Sequence, residues 1–393
     1  MDYFEKSLVL HKHLKGKWEI NSRFPLENAD DLSVAYTPGV ASVCESIAKD
    51  TSMAYDLTMK GNTVAIVSDG SAVLGLGDIG PEAAIPVMEG KAILFKKFAG
   101  INGVPVVINA HTSEDIITTV KTIAPTFGGI NLEDIKAPKC FEIEKALQDI
   151  GIPVFHDDQH GTAIVLLAAL INAGKVIGKP VEEMKIVVNG AGAAGTAIAR
   201  LLRCVGHDPN VCVPANDVLV CDSKGIISRD RTDLNEYKKE LLAYSNKQHL
   251  SGSLKDALKG ADCFIGVSKG NLLDGNDIRS MNTDAIVLAM ANPIPEIMPD
   301  IAKRGGARIV GTGRSDFPNQ VNNVSVFPGI FKGALKAKSK RITEIMKIAA
   351  AHALAGCVKN ISEDNILPSP LSLETANIVA DEVAKVALAE ATL

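Results

Sequence analysis

A chain of 393 residues, 46% hydrophobic and 22% charged, has the core material of a globular protein and more length than one ordinary domain needs, which excludes a mostly disordered chain. The net charge of −5 (41 Lys and Arg against 46 Asp and Glu) comes without a basic stripe, so nucleic-acid binding as the main role is excluded. The longest apolar run, 163–171, is far short of a membrane span, and the N-terminus carries Asp2 and Glu5 without the long apolar stretch of a secretory signal.

Residues 4–14 read as a short amphipathic helix, followed by an extended piece around Pro25 and a tight turn at Thr37-Pro38-Gly39. From Thr63 the pattern becomes a buried strand, TVAIVSDG, then a glycine-rich loop, then a helix over 86–97. Strands are predicted at 104–110, 127–134 and 152–158, with helices near 114–122 and over 137–151 between them. Strand and helix alternate, which predicts a parallel sheet, and aromatics at only 4% leave Ala, Val, Ile and Leu to fill it. An apolar helix over 161–173 leads into a second alternating run, with strands at 186–190, 218–222, 263–267, 285–291 and 308–313. The last sixty residues read as mostly helix. The fold class is α/β in two domains: residues 1–160 a parallel-sheet catalytic domain, 161–335 a doubly wound Rossmann-type dinucleotide-binding domain, and 336–393 C-terminal helices. Seven cysteines, an odd set with no CxxC pair, read as reduced, mostly buried thiols of a cytoplasmic protein.

Four groups of residues carry chemistry. Gly190-Ala-Gly192-Ala193-Ala194-Gly195 follows a strand and opens a helix, the context in which glycines admit a pyrophosphate to a helix N-terminus. Asp222 ends the next strand, where an acid binds ribose hydroxyls; Lys224, two residues on, is placed to meet a 2′-phosphate. Glu133-Asp134 and Asp157-Asp158 each end a strand, with one helix between them, so a right-handed crossover brings both pairs out at the same sheet edge. Converging carboxylates repel unless a cation sits between them, and oxygen-only donors favour Mg²⁺ or Mn²⁺. Helix capping by Asp158 is the plainer alternative, and His156 with His160 is a rival zinc pair. Lys91 sits in a helical apolar segment that would lower its pKa toward that of a base, although a solvated surface lysine is the commoner outcome. Tyr36, by residue type alone, is a buried tyrosine with a bonded hydroxyl, and Asn292 and Asn322-Asn323 fall near the carboxyl edge of the second sheet.

Taken in order, AYTPGV, SDGSAVLGLGDIG, EGKAILFKKFAG, NLEDIKAPKCFEIE, VFHDDQHGTA, NGAGAAG, CDSKGII, MANPIPEI and NNVSVFPG resemble the malic enzymes in their short, bacterial-type form, from about residue 20 to 335. The resemblance implies oxidative decarboxylation of L-malate to pyruvate and CO₂, with NAD or NADP reduced and a divalent metal, Mg²⁺ or Mn²⁺, required. It implies Glu133, Asp134 and Asp158 as metal ligands and Asp157 as their close catalytic partner. Lys91 becomes the base at the C2 hydroxyl and Tyr36 the acid that protonates C3, while Asn292 and Asn323 hold the substrate carboxylates and the nicotinamide end. The large forms carry an arginine two residues after their DG, where Ser71 and Ala72 stand here, so another donor must grip the substrate. A homodimer with a small-molecule substrate, and no nucleic-acid or membrane partner, completes the expectation. A metal-independent amino-acid dehydrogenase and a non-catalytic NAD-responsive binding protein are the two other readings.

Overall fold

The computed structural model describes residues 3–73, 76–110, 112–209 and 211–392. Leu74 and Gly75, in the glycine-rich loop, lie outside the described residues. Residues 3–62 form four α-helices, α1 (Tyr3–Leu14), α2 (Ala29–Ala35), α3 (Val40–Lys49) and α4 (Ala54–Leu57), with short 3-10 turns at Thr51–Met53 and Met59–Asn62, and none of these residues is buried. The expected N-terminal helix is therefore present, but its apolar face has no core to meet.

The first sheet begins at β1 (Thr63–Ser68), buried along its whole length. Pro81 opens α5 (Pro81–Leu94), which runs on as a π turn over Phe95–Ala99. Then follow β2 (Asn102–Val107), α6 (Ser113–Ile123) with a Thr112/Asp115 capping box, β3 (Gly129–Leu132), α7 (Lys139–Leu147) and β4 (Val154–His156). All four strands are parallel, in the order β2-β1-β3-β4. The chain adds β2 on one side of β1 and β3 on the other, so the crevice at their carboxyl ends is the ligand position of an open α/β sheet. Leu132 pairs with His156, so Glu133 and Asp157 leave their strands level with one another.

One long helix, α8 (Asp157–Ile177), then carries the chain to the second sheet and ends at Gly178 in the left-handed conformation. It has the length and apolarity of a membrane span, yet it is largely buried and packs against the helices that follow. The second half runs β5 (Lys185–Asn189), α9 (Ala193–Leu202), β6 (Asp217–Asp222), β7 (Gly225–Ile226), α10 (Glu236–Leu241), α11 (Leu254–Leu258), β8 (Cys263–Gly266), α12 (Gly275–Arg279), β9 (Ile286–Ala289), α13 (Pro299–Arg304) and β10 (Ile309–Thr312). Strand order is β10-β9-β8-β5-β6-β7, parallel except for the short β7, which folds back on β6. The order reverses between β5 and β8, beside the glycine-rich turn. Helices α14 (Phe327–Lys336), α15 (Glu344–Gly356) and α16 (Leu373–Ala391) pack together, and α15 also lies on α8.

Few aromatics are present, and four of them gather where the halves meet. Phe95 stacks edge-on against Phe327 (4.8 Å) and Phe331 (5.4 Å), and Phe331 meets Phe155 at 5.9 Å. Each is fully buried, a contribution of about 1.5–3 kcal/mol per side chain from removal of apolar surface from water. The cysteine expectation needs correcting. Cys204 and Cys212 form a disulfide, because the turn after α9 returns the chain to a Cα–Cα separation of 5.7 Å, within bridging reach. Cys140, Cys221 and Cys263 are free and buried as expected, whereas Cys44 is exposed.

Candidate active site

At the carboxyl edge of the first sheet the two acid pairs come together with the lysine. Lys91, on α5, places Nζ 2.9 Å from Glu133 Oε1 and 2.6 Å from Asp157 Oδ2, all three side chains out of water. The same ammonium lies 4.2 Å from the centre of the Phe327 ring. Glu133 also accepts from Asn131 Nδ2 at 2.8 Å, and Asp158 Oδ2 accepts from the Asp134 amide at 2.8 Å. Asp134 holds a positive φ of 54°, which turns the chain back at the strand end. Glu133, Asp134 and Asp158 each offer an oxygen, and these oxygens lie within 4.8 Å of one another. The capping alternative for Asp158 does not hold: residue 157 already begins α8, and Asp158 binds the amide of Asp134 on another element.

Burial pushes the Glu133 carboxyl up to about 7, with Lys91 opposing and Asp158 adding to the rise. The same cause lifts Asp157 and Asp158 to about 6. For Lys91 burial acts downward, as the apolar segment suggested, but the charges of Asp157 and Glu133 outweigh it. Its pKa therefore stands above the ordinary lysine value, opposite to the expected direction, because the apolar segment delivers it onto two anions. Glu133 and Asp158, whose carboxyls are lifted by burial, form with Asp134 a set of hard oxygen donors that fits a small divalent cation, which would relieve their repulsion.

Gly161, on the first turns of α8, faces this cluster. A Cβ there would overlap Asp157 Oδ1 and come within 3.2 Å of Asn323 Cβ. Asn323 thus reaches the carboxylate cluster from the second half of the chain. Asn292 is exposed on the loop after β9, at the cis bond to Pro293. Tyr36 is not the buried tyrosine its type suggested; it is 67% exposed at the end of α2, in the segment without buried residues. Burial pushes His156 down to about 4, and neither ring nitrogen makes a hydrogen bond, while His160 is engaged by Glu144. Among the described residues, the group able to share one cation includes neither histidine, which disfavours the zinc pair. Ser71, in the stretch that lacks the arginine, donates to Asp69 Oδ1 at 2.6 Å, and Asp69 also pairs with Lys139.

The second sheet carries an open cavity of about 830 Å³ at its switch point, lined by Asn189, Gly190, Gly192, Asp222, Lys224 and Lys238 among others. Gly190 has φ +131°, and a Cβ on it would stand 2.6 Å from Val267 O. Gly195 lies against Gly190 O too closely for any Cβ, whereas Gly192 opens onto free space, so Ala193 and Ala194 begin α9 with their amides toward the cavity end. Asp222 takes Arg231 in a two-point pair (2.8 and 3.0 Å) and Lys238 at 2.6 Å. Burial pushes the Asp222 carboxyl up, but Arg231, Lys238 and the Lys224 amide outweigh it and hold it at about 2. Lys224 is 66% exposed and pairs with Asp233 at 2.8 Å. Arg231 and Lys238 were not legible as site residues: they follow Asp222 by nine and sixteen positions, and the short strand β7 and helix α10 bring them back.

Comparisons with known proteins identify the family. Residues 159–388 match the family described as "Malic enzyme, NAD binding domain", and residues 15–117 and 111–148 match "Malic enzyme, N-terminal domain". The chain is 52% identical over 392 residues to the bifunctional malic/malolactic enzyme of Bacillus subtilis (strain 168), covering 99% of this chain and 94% of that one. It is 45% identical over 395 residues to the NADP-dependent malic enzyme of Halomonas elongata, covering 96% and 91%. The crystal structure of a malic enzyme from Pyrococcus horikoshii superposes with a TM-score of 0.93 at 47% identity, over 99% of this chain and 92% of that one. That of the NAD-dependent malic enzyme from Thermotoga maritima gives 0.91 at 46%, over 98% and 99%.

Proposed function

The chain belongs to the malic enzyme family, and on that premise we propose that it oxidatively decarboxylates L-malate to pyruvate and CO₂ while reducing NAD or NADP. The observation that carries this reading is the meeting of Lys91 and Asp157 with three cation-binding carboxylates at one dry sheet edge. Glu133, Asp134 and Asp158 would hold Mg²⁺ or Mn²⁺. A bound cation there supplies Lewis-acid polarisation of the C2 oxygen, and a bound nicotinamide accepts the C2 hydride.

The remaining work falls to side chains. Lys91 takes the C2 hydroxyl proton. To do so it must first yield its own, and Asp157, 2.6 Å away, is the acceptor at hand. Asn323 sits against Gly161 beside Asp157 and would orient the substrate carboxylate, and Asn292 would meet the nicotinamide end from the loop after β9. Once the C3–C4 bond breaks and CO₂ leaves, Tyr36 returns a proton to C3. Tyr36 stands on a segment that exposes Phe4, Leu8, Ile20, Leu26 and Val34 to solvent. A surface of that kind supports a homodimer in which a second copy covers it. The dinucleotide fills the cavity of the second sheet, Gly190, Gly192 and Gly195 admitting its pyrophosphate and Asp222 its ribose, while Lys224 and Lys238 favour a 2′-phosphate.

The test is malate turnover with each dinucleotide, before and after EDTA and then with Mn²⁺ restored. Turnover that is lost with EDTA and regained with Mn²⁺ is expected; full activity in EDTA would remove the metal from the reading and favour a metal-independent dehydrogenase.

A further inference from the structure

The first turn of α8 carries Asp157 and Asp158, yet its N-cap, His156, makes no side-chain capping bond. What fixes this turn comes from behind. Glu144, on α7 and buried, accepts from the His156 amide (3.3 Å), Gln159 Nε2 (3.1 Å) and His160 Nε2 (2.8 Å). Its three bonds fall on residues that flank the Asp157-Asp158 pair on both sides. Burial pushes the Glu144 carboxyl up, but His160 and Lys347 outweigh it and hold it at about 2, so it is an anion in a dry place. A buried anion needs a counter-charge, and its source is distant in sequence. His160 Nδ1 lies 3.2 Å from Nζ of Lys347, on α15, which is only 6% exposed. Lys347 can only donate, so Nδ1 accepts and Nε2 is the nitrogen left to donate to Glu144. Lys347 is itself anchored by Glu344 at 2.6 Å. The chain Glu344–Lys347–His160–Glu144 thus joins the C-terminal helices to the backbone that presents two of the site's carboxylates.

We infer that Lys347 is a positioning residue for the cation site, acting through His160 and Glu144 on the first turn of α8; this rests on the reading of Glu133, Asp134 and Asp158 as metal ligands. Lys347 touches neither substrate nor cation in this account. Its removal takes away the positive charge behind His160 that offsets the buried Glu144 anion, so the hold of Glu144 on the turn weakens and the donor oxygens lose their mutual spacing.

The experiment is direct Mn²⁺ binding to the full-length protein without substrate, read by electron paramagnetic resonance of free Mn²⁺, with dinucleotide affinity measured alongside. Lys347→Met should weaken Mn²⁺ binding by about ten-fold or more, the usual size of losing a partner behind the ligands, with dinucleotide affinity unchanged. Leu354→Ala, which removes a buried apolar side chain from the same helix, serves as the control for lost packing alone and should leave Mn²⁺ affinity near wild type. The double variant Glu144→Gln/Lys347→Met removes the anion together with its counter-charge, so it should fold even where the single variant does not and should recover part of the Mn²⁺ affinity. Equal Mn²⁺ affinities for wild type and Lys347→Met, or equal losses in Lys347→Met and Leu354→Ala, would overturn the inference. A wild-type protein that binds no Mn²⁺ would overturn the metal reading and the role of Lys347 with it.

Discussion

At the carboxyl edge of the first sheet, Glu133, Asp157 and Lys91 are packed out of water, one ammonium between two carboxylates. At the carboxyl edge of the second, glycines and exposed lysines leave a cavity of about 830 Å³ open to solvent. Both edges lie at the reversal of strand order, so topology sets where each site is and not how it works. Each charge at the dry edge is felt strongly by its neighbours, which suits proton transfer. At the wet edge the contacts are several and individually weak, which suits holding a long ligand and letting it go.

That contrast predicts unequal responses to substitution. The largest belongs to Lys91→Ala, which should lower kcat by on the order of 10²–10⁴. A fluorescence titration of the dinucleotide should show no matching loss, and a near-normal kcat would make Lys91 only a counter-ion for Glu133 and Asp157. Next comes Asp158→Asn, which keeps the shape but removes one full charge from the oxygen cluster. Mn²⁺ affinity should fall by about ten-fold or more and metal-dependent oxaloacetate decarboxylation with it, and excess Mn²⁺ should restore part of the rate. Calorimetry of Mn²⁺ binding decides this, and an unchanged affinity would take Asp158 out of the site.

At the open edge the effects should be smaller. Lys238→Ala should raise the KM for NADP by about ten-fold relative to NAD, the worth of one charge-assisted contact of roughly 1.5 kcal/mol. Lys224→Ala should do less, since Lys224 is exposed and already paired with Asp233. A reversed order would return the selecting role to Lys224. The smallest effect is that of pH on Asp222. Its folded value of about 2 lies below the ordinary 3.8, so the stabilisation from Arg231 and Lys238 is complete above 3.8 and is lost as pH falls toward 2. Thermal melts should show no loss attributable to this group near neutral pH, with Asp222→Asn as the comparison. A dependence that vanishes in Asp222→Asn but lies near neutrality would contradict the pairing.

The same contrast governs how much could be read from residue order. The strands were legible because buried parallel strands are near-continuous apolar runs, as in Val64–Val67 and Ile186–Val188. The acid pairs were legible because one βαβ crossover links them, a local rule with one geometric outcome. The sign of the Lys91 shift was not, since the burial is visible along the segment while the two anions arrive from β3 and α8. Arg231 and Lys238 were hidden for a similar reason, as was the bridge between Cys204 and Cys212, which carries no CxxC spacing. Tyr36 shows the opposite failure: its type says buried, but no core forms beneath residues 3–62 within one chain.

Helix α8 bears on modularity. It starts inside the carboxylate cluster and runs 21 residues, about 32 Å at 1.5 Å per residue, before Gly178 ends it beneath the second sheet. The two carboxyl edges are therefore mounted on one unbroken rod, with no linker between Asp157 and Ile177 at which the halves could part. A chimera that exchanges the dinucleotide-binding half for another must be spliced after Gly178. A splice inside the rod would separate Asp157 and Asp158 from the turns that hold them.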